Sequence, residues 1–231
     1  MPNFTQRSKA IEIMDDFLLP RQEIDPVLSE LEIINKKLGG FQVFFDAFKK
    51  LKLENGDTIC DWGCGGGDGL KWLNRYFLQK NLNLNFIGID ATPAAVEFAE
   101  ALNLSEENIS FRCADVLKTD FKPQEFEVII SSLFTHHFED EDWIKLIKKM
   151  NQSAKKVVII NDLHRHPVAY YAIGLLTQLF SKSPMVKHDS KLSVLRSFTK
   201  SEIKALLKQA GITNYSIKWM WAFRWQIIIY K

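Results

Sequence analysis

Between Thr58 and Gly67 a short apolar run ends in a carboxylate and then breaks into glycines: Thr58-Ile59-Cys60-Asp61-Trp62-Gly63-Cys64-Gly65-Gly66-Gly67. The apolar run reads as a buried strand, and the periodic stretch at 69–79 behind it reads as a helix. A strand, a glycine turn and a helix in that order aim backbone N–H groups and the positive end of the helix at a bound ligand. Glycine is required because the chain turns sharply and the ligand must approach the backbone with no Cβ in the way.

From Asp57 onward the same alternation repeats, which is the signature of a parallel α/β sheet. Strands are expected at 58–61, 85–90, 109–113, 127–131 and 156–161, with helices at 69–79, 93–102 and 140–150 among those between them. Helical periodicity also covers 9–19 and 26–51, punctuated by Gly39-Gly40, so helices should precede the sheet. After the fifth strand, Pro167 at a first helical position opens an apolar helix to Phe180, and a polar stretch runs on to Ser197. Thr199, with Glu202 three residues later, forms a capping box for a helix ending near Gly211. The β-rich runs 215–219 and 225–230 are close enough to pair as an antiparallel hairpin. The expected architecture is a Rossmann-like, seven-stranded, mostly parallel sheet in one domain. Residues 1–52 form a helical cap, 53–162 the core, 163–198 a helical lid, and 199–231 the closing helix and hairpin.

Composition narrows the function class. The chain has 231 residues, 46% of them hydrophobic and 25% charged, which suits a single globular domain. A net charge of +2 with no basic cluster gives no footprint for nucleic acid. Cys60, Cys64 and Cys113 form neither a paired framework nor a C-x-x-C motif, which points to a reducing compartment. The start MPNFTQRSKA lacks the apolar core of a signal peptide, and no run approaches a membrane span, so a cytoplasmic location is expected.

The dinucleotide fingerprint G-x-G-x-x-G/A fits poorly. Started at Gly63 it places Asp68 where a small residue belongs, and started at Gly65 it places Leu70 there. A phosphate loop also fails, since no Lys-Ser/Thr pair follows the glycines. Asp61 would repel a pyrophosphate, but it can pair with the ammonium of an amino-acid moiety.

TICDWGCGGG resembles the first motif of class I S-adenosylmethionine methyltransferases, an apolar strand followed by Asp/Glu-x-Gly-x-Gly-x-Gly. Two further positions agree: Asp90 ends FIGID, where the family's acidic residue binds the ribose hydroxyls, and Asp115 follows FRCADV, where its Asp meets the adenine amino group. The resemblance thus implies S-adenosylmethionine as cofactor and S-adenosylhomocysteine as product. It assigns cofactor contacts to Asp61, Gly63, Cys64, Gly65, Gly67, Asp90, Ala91, Asp115, Val116 and Ser131. Cys64 reads as a small turn residue, with no neighbouring base to make it nucleophilic.

Methyl transfer is an in-line displacement, so the protein chiefly aligns acceptor and methyl, and a base is needed only where the acceptor holds a proton. The stretch Ser131-Ser132-Leu133-Phe134-Thr135-His136-His137-Phe138 lacks the Asn/Asp-Pro-Pro-Tyr type motif of DNA and some protein methyltransferases. His136 and His137 are candidate bases, or caps of the next helix. No third ligand stands near them at a recognisable spacing, so no metal site is expected. NDLHRHPVAYY adds Arg165 and His166 as candidates near the acceptor, at a strand end where open α/β sheets bind ligands. The helix that follows is either a lid or a dimer or core element. RSKAIEIMDD, INKKLGG, NDLHRHPVAYY and KHDSKLSVLRSFT together resemble small UbiE-type methyltransferases found with bacterial aromatic polyketide pathways. That resemblance implies a small, largely apolar, phenolic or quinol-like acceptor methylated on oxygen or carbon. The alternatives are a silent cofactor-binding interaction protein and an NAD-linked oxidoreductase.

Overall fold

Strands β1 (Thr58–Trp62), β2 (Asn85–Asp90), β3 (Ile109–Cys113), β4 (Phe126–Ser132) and β5 (Ala154–Leu163) run parallel, and β6 (Tyr215–Met220) and β7 (Arg224–Tyr230) close the sheet. Their order is β3-β2-β1-β4-β5-β7-β6, with β7 antiparallel to both neighbours. This computed structural model describes residues 2–231. The expected seven-stranded sheet with its C-terminal hairpin is the fold observed.

Strand side chains alternate faces, and β5 shows why the parallel core is apolar throughout. Val158 and Ile160 pack on one side with α5 (Asp140–Ser153) and α8 (Lys200–Gln209), through Trp143, Leu146, Ile203 and Leu207. Val157 and Ile159 pack on the other with α2 (Gly40–Phe48) and α3 (Asp68–Leu78), through Phe44, Phe48, Leu73 and Phe77. Helix α8 carries the expected capping box: Thr199 Oγ1 accepts from the Glu202 amide, and Glu202 Oε2 accepts from the Thr199 amide at 2.7 Å.

Three segments depart from the sequence reading. Residues 9–19 are not an α-helix and hold a 3₁₀ turn at Ile13–Asp15 followed by a turn at 17–18. The Asp189 carboxylate accepts the Ile13 and Met14 amides, each at 3.0 Å, so a tertiary partner replaces the helical one. Helix α1 (Arg21–Lys37) begins before Pro26, which lies inside it. The polar stretch before Ser197 is itself helical, α7 (Pro184–Arg196), capped by Ser183. With α6 (Pro167–Phe180) it forms an antiparallel pair after β5. Helix α4 (Pro93–Leu102) completes the set. The outer face of α6 leaves Val168, Tyr171, Leu175, Leu179 and Phe180 exposed.

Candidate cofactor and acceptor site

β1 lies between β2 on one side and β4 on the other, and the chain's reversal there opens a crevice beyond the carboxyl ends of the strands. A cavity of about 950 Å³ fills it, at the upper end of the range for small-molecule sites. Its floor is Asp61, Gly63, Cys64, Gly65, Gly66 and Asp90. The N-terminal segment, α1, α6, α7 and the turn between β6 and β7 supply its walls.

The turn after β1 needs its glycines. Gly63 has φ +74°, and a Cβ there would stand 2.2 Å from the Phe134 ring. Gly65 has φ +50° and donates its amide to Asp90 Oδ2 at 2.9 Å, while Asp90 Oδ1 accepts from the Thr92 amide at 2.9 Å. Asp90 therefore shapes the glycine turn in addition to facing the cavity.

Asp61 is 3% exposed. Burial, and then the charges of Asp68 and Asp90, push its carboxyl well above the carboxylate range. Asp68, the first residue of α3, is pushed up to about 6 by burial and by Glu32. Asp61 Oδ1 and Asp68 Oδ2 are buried with no hydrogen-bond partner among the described residues. Carboxylates left unpaired in this way call for a cationic donor, and an amino-acid ammonium supplies one. Asp68 was visible in the sequence only as a misfit to the dinucleotide pattern.

The remaining cofactor candidates divide. Cys64 lines the cavity, and burial followed by the charge of Asp90 pushes its thiol well up, so it is no nucleophile. Ala91, Asp115, Val116 and Ser131 lie outside the cavity wall. Asp115 binds the Leu117 amide and pairs with Lys118 at 3.0 Å, Val116 belongs to the core, and Ser131 Oγ donates to the Trp62 carbonyl. Ser132 and Thr92 take their place on the wall.

His136 and His137 also line the cavity. They stack with centroids 4.4 Å apart in the 3₁₀ turn Thr135–His137. His136 Nδ1 lies 2.6 Å from Asp162 Oδ1 at the end of β5, and His137 Nδ1 lies 2.6 Å from Asp15 Oδ1. Burial alone would raise the Asp162 carboxyl, but the charge of His136 and the bonds from His136, Thr135 and Leu163 hold it below its ordinary value. Glu12, Asp15 and Arg196 complete this wall and had no sequence signal of their own.

Arg165 and His166 stand elsewhere. Arg165 is buried among the Phe4 carbonyl, the Ser197 carbonyl and Glu202, tying the N-terminal segment to α8. His166 caps α6 by accepting from the Val168 amide, and its ring stacks on Phe223. Neither reaches the cavity wall, because the turn after β5 carries them behind it.

Residues 59–156 match the family described as "Methyltransferase domain". Phosphoethanolamine N-methyltransferase 3 of Arabidopsis thaliana is 27% identical over 133 residues, covering 56% of this chain and 26% of the relative. The chain thus spans about a quarter of that relative's length. Among solved structures, the plantazolicin methyltransferase BpumL in complex with S-adenosylhomocysteine superposes with TM-score 0.65 at 19% identity, covering 88% of each chain. A SAM-dependent methyltransferase from Aquifex aeolicus gives TM-score 0.58 at 17% identity, covering 80% of this chain and 87% of that one. At such identities the structures speak for the fold alone. No helix among the described residues is long and apolar enough to cross a membrane. Residues 59–156 thus resemble a methyltransferase domain, and the chain has the fold of the solved S-adenosylmethionine-dependent methyltransferases.

Proposed function

We propose that this protein transfers the methyl group of S-adenosylmethionine to a small, largely apolar, hydroxylated aromatic acceptor. The observation that carries the reading is one cavity holding two different ends. One is a glycine turn with the unpartnered oxygens Asp61 Oδ1 and Asp68 Oδ2, and the other a mostly apolar chamber with polar groups at the Glu12 corner and at Arg224. The first suits the amino-acid part of the cofactor, with Asp90 at the ribose. Leu31, Leu38, Ile173, Leu176, Trp221 and Phe223 suit an aromatic or alkyl body.

In the transfer, an acceptor lone pair forms the new bond to the methyl carbon while the carbon–sulfur bond breaks, its electron pair going to sulfur. Alignment supplies most of the acceleration. The proton of a hydroxyl acceptor leaves at the corner of Glu12, His136 and His137. A phosphorylated amine, the acceptor named for the plant relatives, is the competing reading, because Arg224 lines the same cavity with Asn35 and Asn161 as its side-chain partners, but the acidic corner opposes a phosphate. Arg196 is engaged by Asp15 Oδ2 and the His137 carbonyl, and Glu12, Asp15 and Asp189 share its wall.

Incubation with methyl-labelled cofactor and two acceptor panels, hydroxylated aromatics and phosphorylated amines, tests the assignment. Label in an aromatic product supports it. Label only in phosphorylated amines, or S-adenosylhomocysteine binding with no transfer to either panel, overturns it.

A further inference from the structure

Glu12, on the N-terminal segment, meets His136 and His137 of the core at the polar corner. One Glu12 carboxylate oxygen and one nitrogen of each imidazole lie within 4.8 Å of one another. Glu12 Oε1 stands 3.7 Å from His136 Nε2 and 4.0 Å from His137 Nδ1. Glu12 Oε1 and His136 Nε2 are buried without a hydrogen-bond partner among the described residues, on side chains 3% and 2% exposed. Two such atoms, facing each other beyond hydrogen-bond range, carry an uncompensated desolvation cost that a shared cation removes.

Three further features fit a cation. A carboxylate only accepts, so His136 Nδ1 donates to Asp162, and whenever the ring gives up its other proton the lone pair on Nε2 lies toward Glu12. Carboxylate-held imidazoles of this kind are the usual support of metal-ligating histidines. The charges of Glu12, Asp15 and Asp162 face Arg196, which binds Asp15 Oδ2 and the His137 carbonyl and stays 3.6 Å from Glu12 Oε1. Arg7, also near, is matched by Asp140. Three carboxylates thus meet around the two imidazoles, with Arg224 the other cation that faces Asp162. Finally, ligands about 2.1 Å from a tetrahedral zinc lie about 3.4 Å apart, so the observed separations need to close only modestly.

We propose that Glu12, His136 and His137 form a binding site for a divalent transition metal of borderline softness, zinc in the first instance. The sequence argued against a metal because no third ligand stood at a recognisable spacing. The fold supplies it from the N-terminal segment. His137 Nδ1 is held by Asp15 Oδ1 at 2.6 Å, so it ligates by exchanging that bond for the metal, and two histidines and one carboxylate then leave a coordination position open. Toward the cavity that position suits the acceptor's oxygen, a role that rests on the transfer reading, whereas metal binding itself does not.

Chelator-treated full-length protein titrated with zinc chloride by calorimetry, and with cobalt chloride by visible absorption, tests the site. S-adenosylhomocysteine binding is measured on every sample as an independent check of the cofactor half. One saturable equivalent is expected. Glu12→Gln and His136→Gln should each weaken metal binding at least tenfold, and Asp162→Asn about 10- to 100-fold, with S-adenosylhomocysteine still bound. Absence of saturable binding at micromolar metal overturns the proposal, as does undiminished affinity in Glu12→Gln and His136→Gln. Should His136→Gln fail to fold, Glu12→Gln decides, because it keeps the side chain's size and an oxygen that can accept from Ser193. Loss of S-adenosylhomocysteine binding by the unsubstituted protein would instead strike the methyltransferase reading and leave the metal result standing.

Discussion

His136 Nδ1 and Asp162 Oδ1 sit 2.6 Å apart, joining the turn after β4 to the end of β5 beneath the acceptor wall. The same carboxylate accepts from Thr135 Oγ1 at 2.6 Å and from the amides of His136 and Leu163. Asp162→Ala leaves these donors buried and unpaired, and breaking a buried charged pair costs about 3–5 kcal/mol. Urea unfolding of the variant should show that loss with an unchanged slope. A loss under 1 kcal/mol would mean the network is dispensable.

Asp90 fixes the glycine turn through Gly65 and Thr92. Hydrogen bonds to a charged group contribute about 1.5–3 kcal/mol each. Asp90→Ala should therefore weaken S-adenosylhomocysteine binding at least tenfold by calorimetry. Near-normal affinity would remove Asp90 from the cofactor site.

Gly63→Ala forces a side chain into the left-handed region and against Phe134. Strain and overpacking together should cost about 2–4 kcal/mol. Thermal unfolding should fall accordingly, whereas Gly56→Ala, with nothing within 4 Å of its Cβ, should show only the strain of φ +86°. Equal losses would contradict the close approach to Phe134.

Cofactor binding should depend on pH through Asp68. Its folded pKa of about 6 lies above the unfolded value, so the ligand-free fold gains stability from the bound proton below about pH 4 and loses it as pH rises through 6. An ammonium requires the ionised carboxylate. S-adenosylhomocysteine affinity should therefore rise from pH 5 toward 7, by up to about tenfold per unit while Asp68 titrates, and then level off. An affinity that falls over that range would contradict this pairing.

Much of this was readable in the chain. The parallel strands announced themselves because both faces of β1, β4 and β5 are buried, so apolar runs are uninterrupted. Asp61 and Gly63 were named as candidates because they share one local turn, and Asp90 because it ends the next strand. Helix α7 was not read as one, since Asp189, Ser193 and Arg196 turn inward to bind the N-terminal segment, and its polarity hides the helical period. The converse error at 9–19 has the same cause, an apolar rhythm whose amides are met by Asp189 and not by their own helix. Glu12 and Asp15 acquire meaning only when the fold sets them beside His136, His137 and Arg196, and no spacing in the sequence encodes that meeting.

The account stands most directly on S-adenosylhomocysteine binding at the Asp61 turn, measured by calorimetry on the unsubstituted protein and on Asp61→Asn, with NAD as the competing ligand. One site for S-adenosylhomocysteine, weakened at least tenfold in Asp61→Asn, with no comparable NAD binding, is the predicted result. Saturable NAD binding with none for S-adenosylhomocysteine, or equal affinity in the variant, would contradict it.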